Sequence, residues 1–71
     1  MEMIVYSRKS CGPCRTLKYF LDKNNAKYEV RDVDDPKYTE EWLKHAQTVP
    51  VVVKGDRVIV GLNLSAIKSM L

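Results

Sequence analysis

The sequence predicts an α/β fold with a mixed four-stranded sheet and three helices, in the order β-α-β-α-β-β-α. Three observations predict this class: short β-prone apolar runs, stretches between them with helical spacing of apolar residues, and a two-residue turn between the last two runs. At 71 residues the chain has room for a single domain, 1–71. A domain of this size buries only about 60% of the surface that its unfolded chain exposes, so its core is small.

A strand and a helix are predicted for the first third of the chain. The strand is the β-prone apolar run Met3–Tyr6, and a polar loop over residues 7–10 follows it. The helix begins near Pro13, which suits a first turn because its missing N–H costs nothing there. The Asn24-Asn25 pair ends the helix, since Asn tolerates the left-handed conformation of a helix cap. The predicted inward face is apolar and consists of Cys14, Leu17, Phe20 and Leu21.

A second strand and a second helix follow. Residues 27–33 alternate between apolar and charged side chains, which predicts an edge strand with one face in solvent. The parallel pairing of this strand with the first requires a right-handed crossover. Asp35 and Pro36 fit the cap and the first residue of the next helix. The predicted inner face of the strand consists of Tyr28 and Val30, and its predicted solvent-exposed face consists of Lys27, Glu29 and Arg31. The predicted apolar side of the helix is Tyr38, Trp42, Leu43 and Ala46.

The last third of the chain predicts a hairpin and a short helix. Val51–Val53 is apolar throughout, Gly55-Asp56 fits a two-residue turn, and Arg57–Val60 returns as an antiparallel strand. Asn63 is a suitable cap for the last helix. The predicted inward residues of that helix are Leu64, Ile67, Met70 and Leu71. We expect the helices to cover both faces of the sheet.

Composition and charge narrow the class of protein. The chain is 45% apolar and 30% charged, which is typical of globular proteins. Its net charge is +3, and no basic cluster contains an aromatic residue, so we expect no nucleic-acid partner. The first ten residues lack the charge order and apolar length of a signal peptide, and no run approaches the ~20 apolar residues of a membrane span. A cytoplasmic protein without a membrane partner is therefore expected, and we also expect it to be a monomer.

The two cysteines, Cys11 and Cys14, are the most informative residues. They lie three positions apart, and a disulfide across so short a loop stabilises a fold by roughly 2 kcal/mol, against about 3 for a 15-residue loop. Redox chemistry in a reducing compartment therefore explains the pair better than a structural disulfide does. A metal site stays open as an alternative, although with His45 it still lacks a fourth ligand unless carboxylates help.

The cysteine pair falls where a strand gives way to a helix, and this position favours redox chemistry. The first turn of a helix offers free backbone N–H groups and the positive end of the dipole, which both stabilise a thiolate. We therefore predict a lowered pKa for Cys11, the attacking residue, while Cys14 on the apolar face resolves the mixed disulfide. Gly12 and Pro13 shape the turn between them. Three cations that are close in sequence should add to the effect: Arg8, Lys9 and Arg15.

Pro50, before the third strand, allows two interpretations. A proline at the start of a strand is common. A cis Val49–Pro50 bond beside the cysteines is the alternative, but cis bonds are only about 5–6% of X–Pro bonds in folded proteins. On these residues alone, the first interpretation is favoured.

Three segments together resemble the glutaredoxins: the stretch Tyr6–Cys14 with its C-G-P-C motif, Thr48–Val53 with T-V-P, and Gly61 before the last helix. The resemblance covers essentially the whole chain. It implies the thioredoxin-like fold, a cis Pro50, and a redox-active disulfide Cys11–Cys14 with no bound cofactor or metal. It also implies that the backbone of Val49 pairs with an extended substrate segment. The substrate-binding residues that follow from it are Arg8, Val49, Pro50 and Gly61.

Within this family, the short length and the Gly61-Leu62-Asn63 segment look most like the NrdH-redoxins. Those proteins are recycled by thioredoxin reductase and donate electrons to ribonucleotide reductase. The resemblance implies a reductase of protein disulfides with thioredoxin reductase or glutathione as its reductant. A glutathione-dependent glutaredoxin, a copper carrier using both cysteines and a non-catalytic binding module are the alternatives. Of the other candidates, Tyr6 is expected to pack near the motif, Trp42 to be a packing residue of the second helix and His45 to face solvent.

Overall fold

The computed structural model describes residues 2–71 and contains every predicted strand and helix, with small shifts at their ends. Met1 of the predicted domain 1–71 lies outside the described residues. The strands are β1 Met3–Ser7, β2 Tyr28–Asp32, β3 Val51–Lys54 and β4 Arg57–Val60. The helices are α1 Gly12–Lys23, α2 Pro36–Leu43 and α3 Leu64–Lys68.

The four strands form one mixed sheet in the order β2-β1-β3-β4. β1 and β2 are parallel and β3 and β4 are antiparallel, as predicted, and β3 also runs antiparallel to β1. Tyr6 near the end of β1 lies opposite Val51 at the start of β3, which in turn lies opposite Val60 at the end of β4. The segments that follow β1, precede β3 and follow β4 therefore meet at the same end of the strands, and this end forms one edge of the sheet.

All three helices begin where the sequence predicts, and α1 also ends there, whereas α2 and α3 end before Ala46 and Leu71, which were predicted to lie on them. Cys11 caps α1 in an extended conformation, and Pro13 lies in the first turn. Asn25, after the end of α1, has a φ of 56°, in the left-handed region that Asn tolerates. Asp35 caps α2 by accepting from the backbone N–H of Lys37 at 3.0 Å. Asn63 likewise caps α3, and it accepts from the backbone N–H of Ala66 at 3.2 Å.

The hairpin between β3 and β4 has the predicted two-residue turn. Lys54 lies opposite Arg57, so only Gly55 and Asp56 are left to connect the strands. Gly55 has a φ of 61°, which glycine adopts at no steric cost at the first turn position.

Each face of the sheet has its own apolar core. The larger core joins the sheet to α1 and α3 and contains Met3, Val5, Leu17, Leu21, Val52, Ile67 and Met70. The smaller core joins the sheet to α2 and contains Tyr6, Val33, Trp42 and Val51. The site described below lies where the smaller core meets the edge of the sheet.

Three residues that were predicted to face inward are exposed. Leu43 is 48% exposed because Trp42 takes the inward direction, and the next residue of a helix is rotated by more than a quarter turn. Leu71 is also 48% exposed, since α3 ends at Lys68 and the helical spacing stops there. Val30 is 43% exposed because the larger core packs against Tyr28 on β2 but does not extend to Val30.

The prediction that three residues of the β2 region face solvent is wrong for two of them. Arg31 and Glu29 are half-buried because α2 lies over this face and supplies a partner. The guanidinium of Arg31 donates to Glu41 of α2 at 2.6 Å and also bonds to Glu29. The hydrogen bond with Glu29 and the charges of both carboxylates raise the pKa of Arg31, against the opposing effect of burial. Lys27 is exposed, as predicted.

Candidate active site

Cys11 and Cys14 form a disulfide with their Cα atoms 5.3 Å apart. The structure therefore shows the oxidised state, in which the sulfur of Cys11 occupies the place of the thiolate in the reduced state. Cys11 is half-buried at the start of α1, and Cys14 is fully buried one turn later. This is the predicted asymmetry between an accessible sulfur and a sheltered one.

The sulfur of Cys11 is the cap of α1. The backbone N–H of Cys14 donates to Sγ of Cys11 at 3.1 Å. The backbone N–H of Cys11 donates to the carbonyl of Arg8, also at 3.1 Å, and fixes the turn that leads into the helix. After reduction, an N–H donor in this position favours the charged form of the Cys11 thiol over the neutral form.

The two residues between the cysteines, Gly12 and Pro13, lie on a solvent-exposed side of the site. Both residues are exposed, and a Cβ atom added at Gly12 meets nothing within 4 Å. A disulfide-bearing partner therefore meets no obstruction at Gly12 as it approaches this side.

The three cations predicted to stabilise the thiolate differ in their surroundings. Lys9 and Arg15 are exposed on either side of Cys11. Arg8 is half-buried, and its Nε donates to both carboxylate oxygens of Asp34, at 3.0 and 3.1 Å. The charge of Arg8 is thus shared with a carboxylate, and the effect of all three cations on Cys11 stays a prediction.

The Val49–Pro50 peptide bond is cis, as the family resemblance implies, and Pro50 is buried. The carbonyl of Pro50 accepts a hydrogen bond from the backbone N–H of Gly61 at 2.8 Å. Gly61 has a φ of 87°, a conformation that side chains other than that of glycine rarely adopt. The structure therefore brings Pro50 and Gly61 together, with the half-buried Val49 beside them, at the sheet edge that also holds the loop to Cys11.

Trp42 packs in the smaller core, as predicted, and is 5% exposed. It also has a role that sequence reasoning missed, because its Nε1–H donates to the carbonyl of Thr48 at 2.9 Å. The guanidinium carbon of Arg8 lies 5.7 Å from the centroid of the indole ring, within cation–π range. The available signal was a lone tryptophan on an apolar helix face, since a buried indole N–H usually needs an acceptor.

Tyr6 is buried at the end of β1, as predicted, and its hydroxyl is also bonded. The hydroxyl donates to Oε2 of Glu41 at 3.0 Å, the same oxygen that accepts from Arg31. Burial, followed by the hydrogen bond to Glu41, raises the pKa of Tyr6. His45 is exposed, as predicted, with its ring centroid 5.9 Å from that of Tyr6.

Within residues 2–71, no group of three or more His, Cys, Asp or Glu side chains is arranged to hold a metal ion. The redox-active group of the site, the cysteine pair, belongs to the chain itself. No helix in this described part combines the length and the hydropathy that crossing a membrane requires.

Comparison with known proteins identifies the family. The glutaredoxin family model matches residues 3–59, which include both cysteines, the cis proline and most of the sheet. The chain is a glutaredoxin-family protein. No curated protein matches it in sequence. Membership of this family supports a thiol oxidoreductase with the Cys11–Cys14 pair as its redox group.

Solved structures share the architecture of this glutaredoxin over nearly its whole length. NrdH-redoxin from Escherichia coli, described as glutaredoxin-like with a thioredoxin-like activity profile, superposes with a TM-score of 0.88 at 25% identity, covering 100% of this chain and 96% of that one. A thioredoxin-like protein has the same TM-score at 29% identity, covering 99% and 100%. The glutaredoxin grx-1 from Archaeoglobus fulgidus has a TM-score of 0.84 at 29% identity, covering 96% and 83%. The fold is therefore thioredoxin-like.

Proposed function

We propose that this glutaredoxin reduces disulfides in other proteins through the Cys11–Cys14 dithiol. The observation that carries the proposal is the half-buried Cys11, whose sulfur accepts the N–H of Cys14 at the start of α1, while Cys14 itself is fully buried. A sulfur in this position is suited to attack, and its neighbour is suited to release the product. We propose that the chain works as one domain, as a monomer in the cytoplasm, within electron transport and cell redox homeostasis.

The reaction consists of two thiol–disulfide exchanges. The Cys11 thiolate attacks one sulfur of the substrate disulfide, whose S–S bond breaks, and the other sulfur leaves as a thiolate that takes a proton from water. Cys14 then loses its proton and attacks Sγ of Cys11, which releases the second substrate thiol and forms the disulfide of the structure. Two electrons pass to the substrate, and the two protons that it gains balance those released by the two cysteines.

We propose that the substrate segment binds along the edge formed by Arg8, Val49, Pro50 and Gly61. In support of this, Pro50 and Gly61 are joined by a hydrogen bond at that edge. The segment before β3 lies beside the segment that leads to Cys11, because β1 and β3 are neighbours. An extended peptide that pairs with the backbone of Val49 thus lies close to the attacking sulfur.

We infer that thioredoxin reductase, rather than glutathione, recycles the disulfide, and that ribonucleotide reductase is a candidate substrate. The likeness to an NrdH-redoxin with a thioredoxin-like activity profile supports this assignment. Residues 61–65 contain no carboxylate for the amine of glutathione. Arg8, a candidate partner for a glutathione carboxylate, already pairs with Asp34.

Insulin reduction tests the proposed activity and its reductant together. With NADPH, we expect turnover when thioredoxin reductase is supplied and none when glutathione and glutathione reductase are supplied. Turnover only with glutathione would contradict the assigned reductant but leave the activity intact. Absence of turnover with either reductant would overturn the proposed function.

Two matched serine variants separate the roles of the sulfurs. Cys11→Ser is expected to abolish insulin reduction, because the attacking atom is lost. Cys14→Ser is expected to stop turnover after the first exchange and to accumulate a mixed disulfide between Cys11 and the substrate, visible by mass spectrometry. An active Cys11→Ser variant contradicts the mechanism, as does a mixed disulfide that forms on Cys14 instead. If the reduced wild-type chain binds copper(I) tightly but reduces no disulfide, the copper carrier replaces the reductase.

A further inference from the structure

The indole of Trp42 joins the two segments that flank the disulfide. On one side, its Nε1–H holds the carbonyl of Thr48, directly before the cis Val49–Pro50 bond. On the other side, Arg8 of the loop that leads to Cys11 lies over its ring, 5.7 Å from the centroid. The substrate-pairing segment and the segment of the attacking sulfur are therefore attached to one side chain.

Arg8 is fixed to this arrangement at both of its ends. Its guanidinium is held by the two Asp34 oxygens, and its backbone carbonyl accepts from the N–H of Cys11 at 3.1 Å. Contacts thus run without a break from Thr48 through Trp42 and Arg8 to Cys11.

The helix that carries Trp42 is itself anchored to the sheet. Glu41, the preceding residue, accepts hydrogen bonds from Tyr6 of β1 and Arg31 of β2. A leucine at position 42 would fill part of the same core volume but hold neither segment. The indole therefore supplies directional contacts, which apolar packing does not require.

We propose that Trp42 is a positioning residue that sets the place of the Val49 backbone relative to Sγ of Cys11. The inference rests on the proposed function, because it concerns how an extended protein segment is presented to the thiolate. Trp42 acts on the capture of such segments and not on thiolate formation, since the N–H that meets the sulfur belongs to Cys14 in α1.

The Trp42→Phe variant tests this role because it keeps an aromatic ring for the core and for Arg8 while removing the N–H donor. Loss of one hydrogen bond to a carbonyl is expected to raise the KM for insulin about fivefold, with kcat unchanged. The rate with a small aryl disulfide, which has no backbone to pair, should stay at the wild-type value. The pH dependence of that rate, which reports ionisation of Cys11, should also be unchanged.

Two further variants complete the experiment. Leu43→Ala, at the exposed neighbouring position of α2, is the matched control and should leave both substrates unaffected. Asp34→Asn removes the negative charge and one of the two acceptor oxygens that hold the guanidinium of Arg8. The change lies at the surface, so the variant folds even if Trp42→Phe does not, and it should raise the KM for insulin about twofold.

Each outcome of this experiment decides one of the two proposals. An equal loss with insulin and the aryl disulfide in Trp42→Phe would show a purely structural role and overturn the inference, as would no loss with either. If Trp42→Phe does not fold, an unchanged KM in Asp34→Asn overturns it. Wild-type protein without insulin turnover overturns the proposed function itself, and the positioning role fails with it.

Discussion

The two faces of the sheet are built by different kinds of interaction. The core under α1 and α3 is made of aliphatic side chains and methionines, none of which has a hydrogen-bond donor. In the smaller core under α2, the hydroxyl of Tyr6 donates to Glu41. The indole N–H of Trp42 donates to the carbonyl of Thr48. Apolar burial is non-directional and supplies stability in proportion to area, whereas hydrogen bonds fix positions. We infer that the larger core stabilises the fold and that the smaller one positions the segments around the disulfide.

The largest expected effect is on the larger core. Leu17→Ala removes a fully buried side chain from α1 and is expected to lower the free energy of unfolding by about 2–5 kcal/mol. Thermal and denaturant unfolding measure it. Tyr19→Ala on the same helix is the control, since Tyr19 is 64% exposed and its loss should change stability by no more than about 0.5 kcal/mol.

The same variant also tests the separation of the two faces. Below its unfolding transition, Leu17→Ala should keep the wild-type KM for insulin, because the contacts of α2 are intact. A rise in KM as large as that expected for Trp42→Phe would contradict the division of roles between the faces.

A smaller effect is expected when a directional contact of the smaller core is removed. Tyr6→Phe deletes the hydroxyl that donates to Glu41 and should lower the free energy of unfolding by about 1 kcal/mol. Combined with Glu41→Ala, which removes the acceptor, in a double-mutant cycle, the two changes should be non-additive, because they share one contact. Strict additivity would show that the hydrogen bond does not anchor α2.

The effect expected to be smallest at neutral pH is a pH dependence at the rim of the larger core, which appears only in alkaline solution. Burial, and then the hydrogen bond to Asp22 at 2.8 Å, raises the pKa of Tyr28 from 10.0 to about 12. Because this pKa is higher in the folded state than in the unfolded state, the shift stabilises the fold. The stabilisation is present in full below pH 10.0 and is lost as the pH rises from 10.0 to about 12. Tyr28→Phe should therefore show less loss of stability over this range in denaturant titrations. If Tyr28→Phe lost as much stability as the wild type over this pH range, the raised pKa of Tyr28 would be contradicted.

Local sequence patterns sufficed for most of the fold. Caps such as Asp35 and Asn63 act through neighbours two or three residues away, and the Gly55-Asp56 turn depends on two positions alone. The position of Cys11 at a strand-to-helix junction is equally local. The cis state of Pro50 was different, because residue preferences favoured trans and only the family resemblance implied the observed bond.

Contacts between distant segments were not predictable in the same way. Charge alternation in β2 predicts a solvent-exposed face, but Arg31 donates to Glu41, ten residues later, because α2 packs over this face of the sheet. The pairing of Arg8 with Asp34 spans 26 residues. Such pairs depend on how the elements are placed in space, which no periodicity along one element describes.

After reduction, Cys11 should ionise more readily than an ordinary thiol because a backbone N–H at the start of α1 donates to its sulfur. Thiolate absorbance of the reduced Cys14→Ser variant, followed across pH, measures this directly because Cys11 is then the single thiol. The hydrogen bond to the sulfur should place the midpoint clearly below the value of about 8.5 for a free cysteine. A midpoint at or above that value would contradict it.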